Sequence, residues 1–141
     1  MHRQAQLYLA VHPADKTFSD VLLAQIIQTD YRCITHEDVP TILNTVTDLY
    51  GTMSESDVII LIDSDNFREQ QPNRELQFAQ QLDKPLIVIS LDKPIHEQRS
   101  TWRVRLFDFT ASKHRDWQKA VDAITELTEH VLHPPNEHFL F

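Results

Sequence analysis

Two apolar runs without alternation, Val58 to Ile62 and Leu86 to Ile89, most constrain what this chain can fold into. A half-buried strand alternates apolar and polar residues, whereas these runs offer apolar side chains to both faces. They predict central strands of a parallel sheet covered on both sides. Between them lies a polar loop, Asp63 to Asn73, followed by a helix expected from about Pro72 to Leu82 with Leu76, Ala79 and Leu82 as its apolar stripe. Open α/β sheets bind ligands outside the carboxyl ends of their strands, where this loop emerges. Glu75, just beyond the loop, is therefore the leading candidate for chemistry.

The flanking segments extend the alternation. Gln6 to Val11 reads as a first strand, followed by a helix capped by Thr17 and running to about Gln28. Tyr31 to Thr35 is a shorter, more polar strand suited to an edge. Pro40 suits the opening of a second helix, whose apolar face carries Ile42, Leu43, Val46, Leu49, Tyr50 and Met53. Asp92 to Arg103 reads as loop, Val104 to Phe109 as an edge-like fifth strand, and Trp117 to Val131 as one face of a final helix starting near Arg115 or Asp116. This order predicts a single α/β domain of flavodoxin-like plan. Its three layers are a five-stranded parallel sheet, ordered 2-1-3-4-5, with helices on both faces. Its ligand crevice is expected outside strands one and three, beside His12, Asp63 and Ser64.

Composition narrows the function. Thirteen basic against twenty-one acidic residues give a net charge of −8, with no basic stripe, which argues against nucleic acid and anionic membranes as partners. A single cysteine, Cys33, and the absence of an apolar leader or spanning run predict a cytoplasmic protein. The lone glycine, Gly51, rules out the glycine-dependent phosphate loops of dinucleotide-binding and Walker-type sites. A phosphoreceiver would need an acidic pair after strand one, where His12-Pro13 stands. His130, His133 and His138 cluster near the C-terminus without an acidic or cysteine partner to complete a zinc signature, so no metal is expected.

Four elements together resemble Toll/interleukin-receptor (TIR) domains of prokaryotic type: Ser56-Asp57 before an apolar strand, Ser64-Asp65-Asn66-Phe67, Arg74-Glu75-Leu76, and Lys84-Pro85-Leu86. A first strand leading to Asp15 and Phe18, and Phe107-Asp108-Phe109 before Trp117, add to the likeness. The resembling region runs over residues 1–133, leaving 134–141 as an apolar C-terminal tail. The chain departs from the family at Gln71, where many TIR enzymes carry tryptophan, at Ala10-Val11, and in the glycine-free loop His36 to Pro40.

The resemblance implies cleavage of NAD at the nicotinamide–ribose bond, to ADP-ribose or a cyclic ADP-ribose-type signal, in antiviral defence signalling. NAD is then substrate rather than cofactor, and self-association completes the site. It assigns Glu75 as the catalytic carboxylate, with His12, Asp63, Ser64 and Phe67 lining the substrate crevice. A carboxylate suits this reaction because the transition state is oxocarbenium-like and gains from a nearby negative charge. A glutamate in the first turn of a helix is equally explained by the macrodipole, and Asp63 and Asp65 by turn formation. A non-catalytic interaction module using the loop His36 to Pro40 therefore stays open, as does a deoxyribosyltransferase-like enzyme.

Overall fold

The computed structural model describes residues 4–92, 103–110 and 117–134. Five strands form one fully parallel sheet: β1 (Gln6–Ala10), β2 (Arg32–Ile34), β3 (Val58–Asp63), β4 (Leu86–Ser90) and β5 (Val104–Asp108). Their order is β2-β1-β3-β4-β5, the predicted flavodoxin-like arrangement, with β2 and β5 at the edges. Five helices complete the layers: α1 (Lys16–Ile26), α2 (Thr45–Ser54), α3 (Asp65–Glu69), α4 (Arg74–Leu82) and α5 (Trp117–Leu132).

The unalternated runs are now explained by the two-residue period of a strand. Val58, Ile60 and Ile62 of β3 join Leu7, Leu9, Ile87 and Ile89 in a core under α1 and α5. Ile59 and Leu61 face the opposite way, into a second core with Tyr8, Ala10, Ile34 and Val88 beneath α2, α3 and α4. At about 25 cal/mol per Å2 of apolar surface, burying each such side chain favours folding by roughly 1.5–3 kcal/mol. The central strands thus anchor both layers at once.

Three local expectations changed. The second helix begins at Thr45, not Pro40, because Asn44 caps it by accepting from the Thr47 amide. Upstream, the Asp48 carboxylate accepts from the amides of Ile42 and Leu43, which leaves those side chains 77% and 74% exposed instead of on an apolar helix face. The loop expected over Asp63 to Asn73 contains α3, capped by Ser64. The first helix starts one residue before Thr17, after a 3-10 turn over Pro13–Asp15, with Asp15 rather than Thr17 at its cap position. The expected loop Asp92 to Arg103 lies mostly outside the described residues, as do His138 and all but Pro134 of the tail.

Candidate functional site

A crevice of roughly 560 Å3 opens above the carboxyl ends of β1 and β2. Its volume falls within the ordinary range for small-molecule sites. Val11, Leu23, Val46 and Leu49 make an apolar wall, while Lys16, His36, Asp38, Arg74 and Glu75 bring charge or polarity to the other sides. Four stretches of chain converge here: the segment after β1, the one after β2, the start of α2 and the start of α4. The switch point of this strand order lies between β1 and β3, so the crevice borders it on the β2 side of β1.

Glu75 enters this crevice from the first turn of α4, whose N-cap Asn73 accepts from the Leu76 amide. Asn73 is itself fastened, donating through Nδ2 to the Phe67 carbonyl at 2.7 Å. Glu75 is only 7% exposed, and its Oε2 accepts a 2.7 Å hydrogen bond from the Tyr8 hydroxyl. Its Oε1 has no hydrogen-bond partner among the described residues. Burial raises the Glu75 pKa above the usual carboxylate range, against the lowering effects of the Tyr8 hydrogen bond and the nearby His36 charge. The Tyr8 phenol is raised as well, chiefly by burial and then by the Glu75 charge, so it stays a hydrogen donor at every physiological pH.

The other sequence-predicted residues sit elsewhere. Asp63 ends β3 and holds Arg68 through two bonds, Nε to Oδ1 at 2.6 Å and Nη2 to Oδ2 at 2.9 Å. Ser64 is fully buried, accepting from the Phe67 amide and donating to Asp15, which also accepts from Asn66 Nδ2. His12 caps the 3-10 turn by accepting from the Ala14 amide at 3.0 Å. Phe67 is buried in the core beneath α2 to α4. None of these four lines the crevice; only Glu75 does. Beside β1 and β3, where the crevice was expected, Asp15, Asp63, Ser64, Asn66 and Arg68 satisfy one another, and the open space lies one strand over.

Sequence reasoning did not connect to the site either Tyr8, which bonds Glu75 from within the sheet, or Cys33, which lines the crevice. Tyr8 lies in the centre of β1, and its signal was a phenol inside an apolar strand, which on burial needs an acceptor. Cys33 borders the same space, with its thiol pushed up to about 12 by burial and the Asp38 charge, so it is an un-ionised, small apolar wall element. No group of three metal-ligating side chains occurs among the described residues. His133 lies 3.8 Å from Glu129 of its own helix. Among the described residues no helix is long and apolar enough to cross a membrane.

Comparison with known proteins changes the family assignment. No family model matches the chain, and no curated protein matches it. A solved response regulator receiver domain protein from Bacillus halodurans C-125 is similar in structure, with a TM-score of 0.51 and 11% identity over 95% of this chain and 100% of that one. At that identity the likeness shows the fold alone. The TIR resemblance is thereby overturned, and the structure explains why its motif misled. Ser64 is a helix cap, Phe67 is core, Asp57 accepts from the Gln6 amide, and Pro85 leads into a parallel strand. Each has a local role in capping, packing or strand entry, and this chain is an α/β domain with a flavodoxin-like fold.

Proposed function

We propose that the crevice binds a nucleotide and hydrolyses its N-glycosidic bond, with NAD as the substrate to test first. The observation that carries this reading is Glu75: a nearly buried carboxyl group, anchored through one oxygen by Tyr8, lining a crevice at the carboxyl ends of β1 and β2. In its ionised form such a group stabilises the positive charge that grows on the ribose as nicotinamide departs. Water then supplies the hydroxyl at the anomeric carbon, and the products are nicotinamide, ADP-ribose and a proton. Lys16 and Arg74 are exposed at the crevice, and neither side chain makes a hydrogen bond or ion pair with the described residues. Both are therefore available to a diphosphate. The wall of Val11, Leu23, Val46 and Leu49 suits a ring.

The test is release of free nicotinamide from NAD by concentrated protein, compared with Glu75→Gln. Turnover in the wild type and a loss of about 100-fold or more in the variant is the expected result, on the scale of removing a charge-stabilising group. Equal turnover in both proteins rejects the role of Glu75. A second reading, a protein-interaction module, is favoured by the exposure of Ile42 and Leu43 beside the crevice. It predicts no nicotinamide release from either protein and loss of partner binding in a double Ile42→Ser, Leu43→Ser variant.

A further inference from the structure

We infer that Tyr8 is a positioning residue for Glu75, fixing which carboxylate oxygen meets a ligand in the crevice. The inference deepens the hydrolytic reading above and rests on it for its consequence in catalysis, though not for its geometry. Tyr8 is fully buried at the centre of β1, between β2 and β3, so its ring cannot move without disturbing the sheet. Its hydroxyl reaches Glu75 Oε2 at 2.7 Å, and no other hydrogen bond to the Glu75 carboxyl is formed within the described residues. A glutamate side chain has three rotatable bonds, and a single fixed donor at one oxygen removes most of that freedom. Oε1 is left as the oxygen presented to the crevice.

The groups facing this pair come from several elements. His36 follows β2 and opposes protonation of Glu75, while Asp38 of the same turn raises the Tyr8 phenol further. Both sit on the segment that closes the crevice over β2. Tyr8 and Glu75 thus form a pair whose electrostatics depend on the loop a ligand would touch. A carboxylate held this way needs no rearrangement when charge develops next to it, which is the basis of electrostatic preorganisation.

Tyr8→Phe keeps the ring and deletes only the hydroxyl. The primary measurement is a pH titration of the Glu75 side-chain carboxyl carbon by NMR, which requires no turnover. The expected result is an upward shift of the Glu75 midpoint in Tyr8→Phe, because the lost hydrogen bond favoured the ionised form. If the variant does not fold, the wild type alone suffices: the Tyr8 phenol carbon must titrate with the same midpoint as Glu75. An unmoved midpoint in the variant, or a phenol carbon blind to the Glu75 transition, overturns the inference. Where NAD is hydrolysed, Tyr8→Phe is expected to lower kcat by about tenfold with little change in KM, and to move the acidic limb of the rate profile to higher pH. A shifted Glu75 midpoint without any NAD turnover leaves the positioning role standing and rejects the hydrolytic reading instead.

Discussion

The Tyr8 hydroxyl and Glu75 Oε2, 67 residues apart in sequence, meet at 2.7 Å between the central sheet and the first turn of α4. The bond joins the centre of the first strand to the residue expected to do chemistry. It also links the two halves of the doubly wound sheet, since β1 carries β2 on one side and β3 on the other. A phenol buried this deeply requires an acceptor, and an almost buried carboxylate requires a donor. Each satisfies the other.

Tyr8→Phe leaves that carboxylate without its donor. Deleting one partner of a buried hydrogen bond to a charged group costs about 1.5–3 kcal/mol. Denaturant unfolding is expected to show that loss most clearly at pH values where Glu75 is ionised, and a smaller one in acid where the carboxyl is neutral. A loss equal at both extremes would mean that the hydroxyl serves ring packing rather than the carboxylate.

Glu75 itself gives stability a characteristic pH dependence. Its native pKa lies above the ordinary 4.5 of the unfolded chain because burial disfavours the charge. The native state therefore holds its proton more tightly than the unfolded state. This contribution is fully present below pH 4.5 and is lost as pH rises through the higher native value. Glu75→Gln removes the ionisation and can still accept from Tyr8, so it should melt about 2–4 °C above the wild type near pH 8 and show no gain near pH 4. A stabilised variant that has lost activity is the pattern expected of a functional group kept at a cost to the fold. The opposite sign, a variant less stable at pH 8, assigns Glu75 a mainly structural role.

Much of the fold was legible because the central strands are apolar on both faces. Val58 to Ile62 could only be central, and the alternation of strands with amphipathic helices left few topologies. The site was less legible, since sequence shows which residues stand at strand ends but not which of them neutralise one another. Asp63 looked available until Arg68, five residues on, closed on it with two bonds. Ser64 and Phe67 looked like crevice residues because a strand–polar–aromatic string reads alike whether it binds a ligand or caps a short helix. Tyr8 escaped notice because its partner is distant in sequence. Ile42 and Leu43 matched the helical period, and the competing Asp48 and Asn44 caps decided where the helix began.

That competition can be tested at Asp48. Its carboxylate accepts from both the Ile42 and Leu43 amides at 2.9–3.1 Å, pinning the segment that leads into the crevice wall at Thr45 and Val46. Asp48→Ala should cost about 1–2 kcal/mol, similar to the loss of a helix cap. Hydrogen exchange of the Ile42 and Leu43 amides is expected to accelerate, while amides in β1 and β3 change only with global stability. Unchanged exchange at both positions would show that other contacts hold the segment.

Beside β1 and β3, two interactions of similar length should differ in weight. The Asp63–Arg68 pair is part-exposed, its side chains 22% and 35% accessible, so screening by water leaves it a contribution of about 0–1 kcal/mol. Ser64 is fully buried and serves twice, accepting from the Phe67 amide and donating to Asp15. Without its hydroxyl, the α3 amide and the Asp15 carboxylate each lose a partner, and α3 delivers Phe67 to the core. Ser64→Ala is therefore expected to cost about 1–3 kcal/mol. Arg68→Ala should fall within about 1 kcal/mol of the wild type, and added salt should diminish even that difference. Urea unfolding of the two variants in low and high salt ranks them directly. A larger loss in Arg68→Ala would make the ion pair, rather than the buried cap, the element that holds the end of β3 closed.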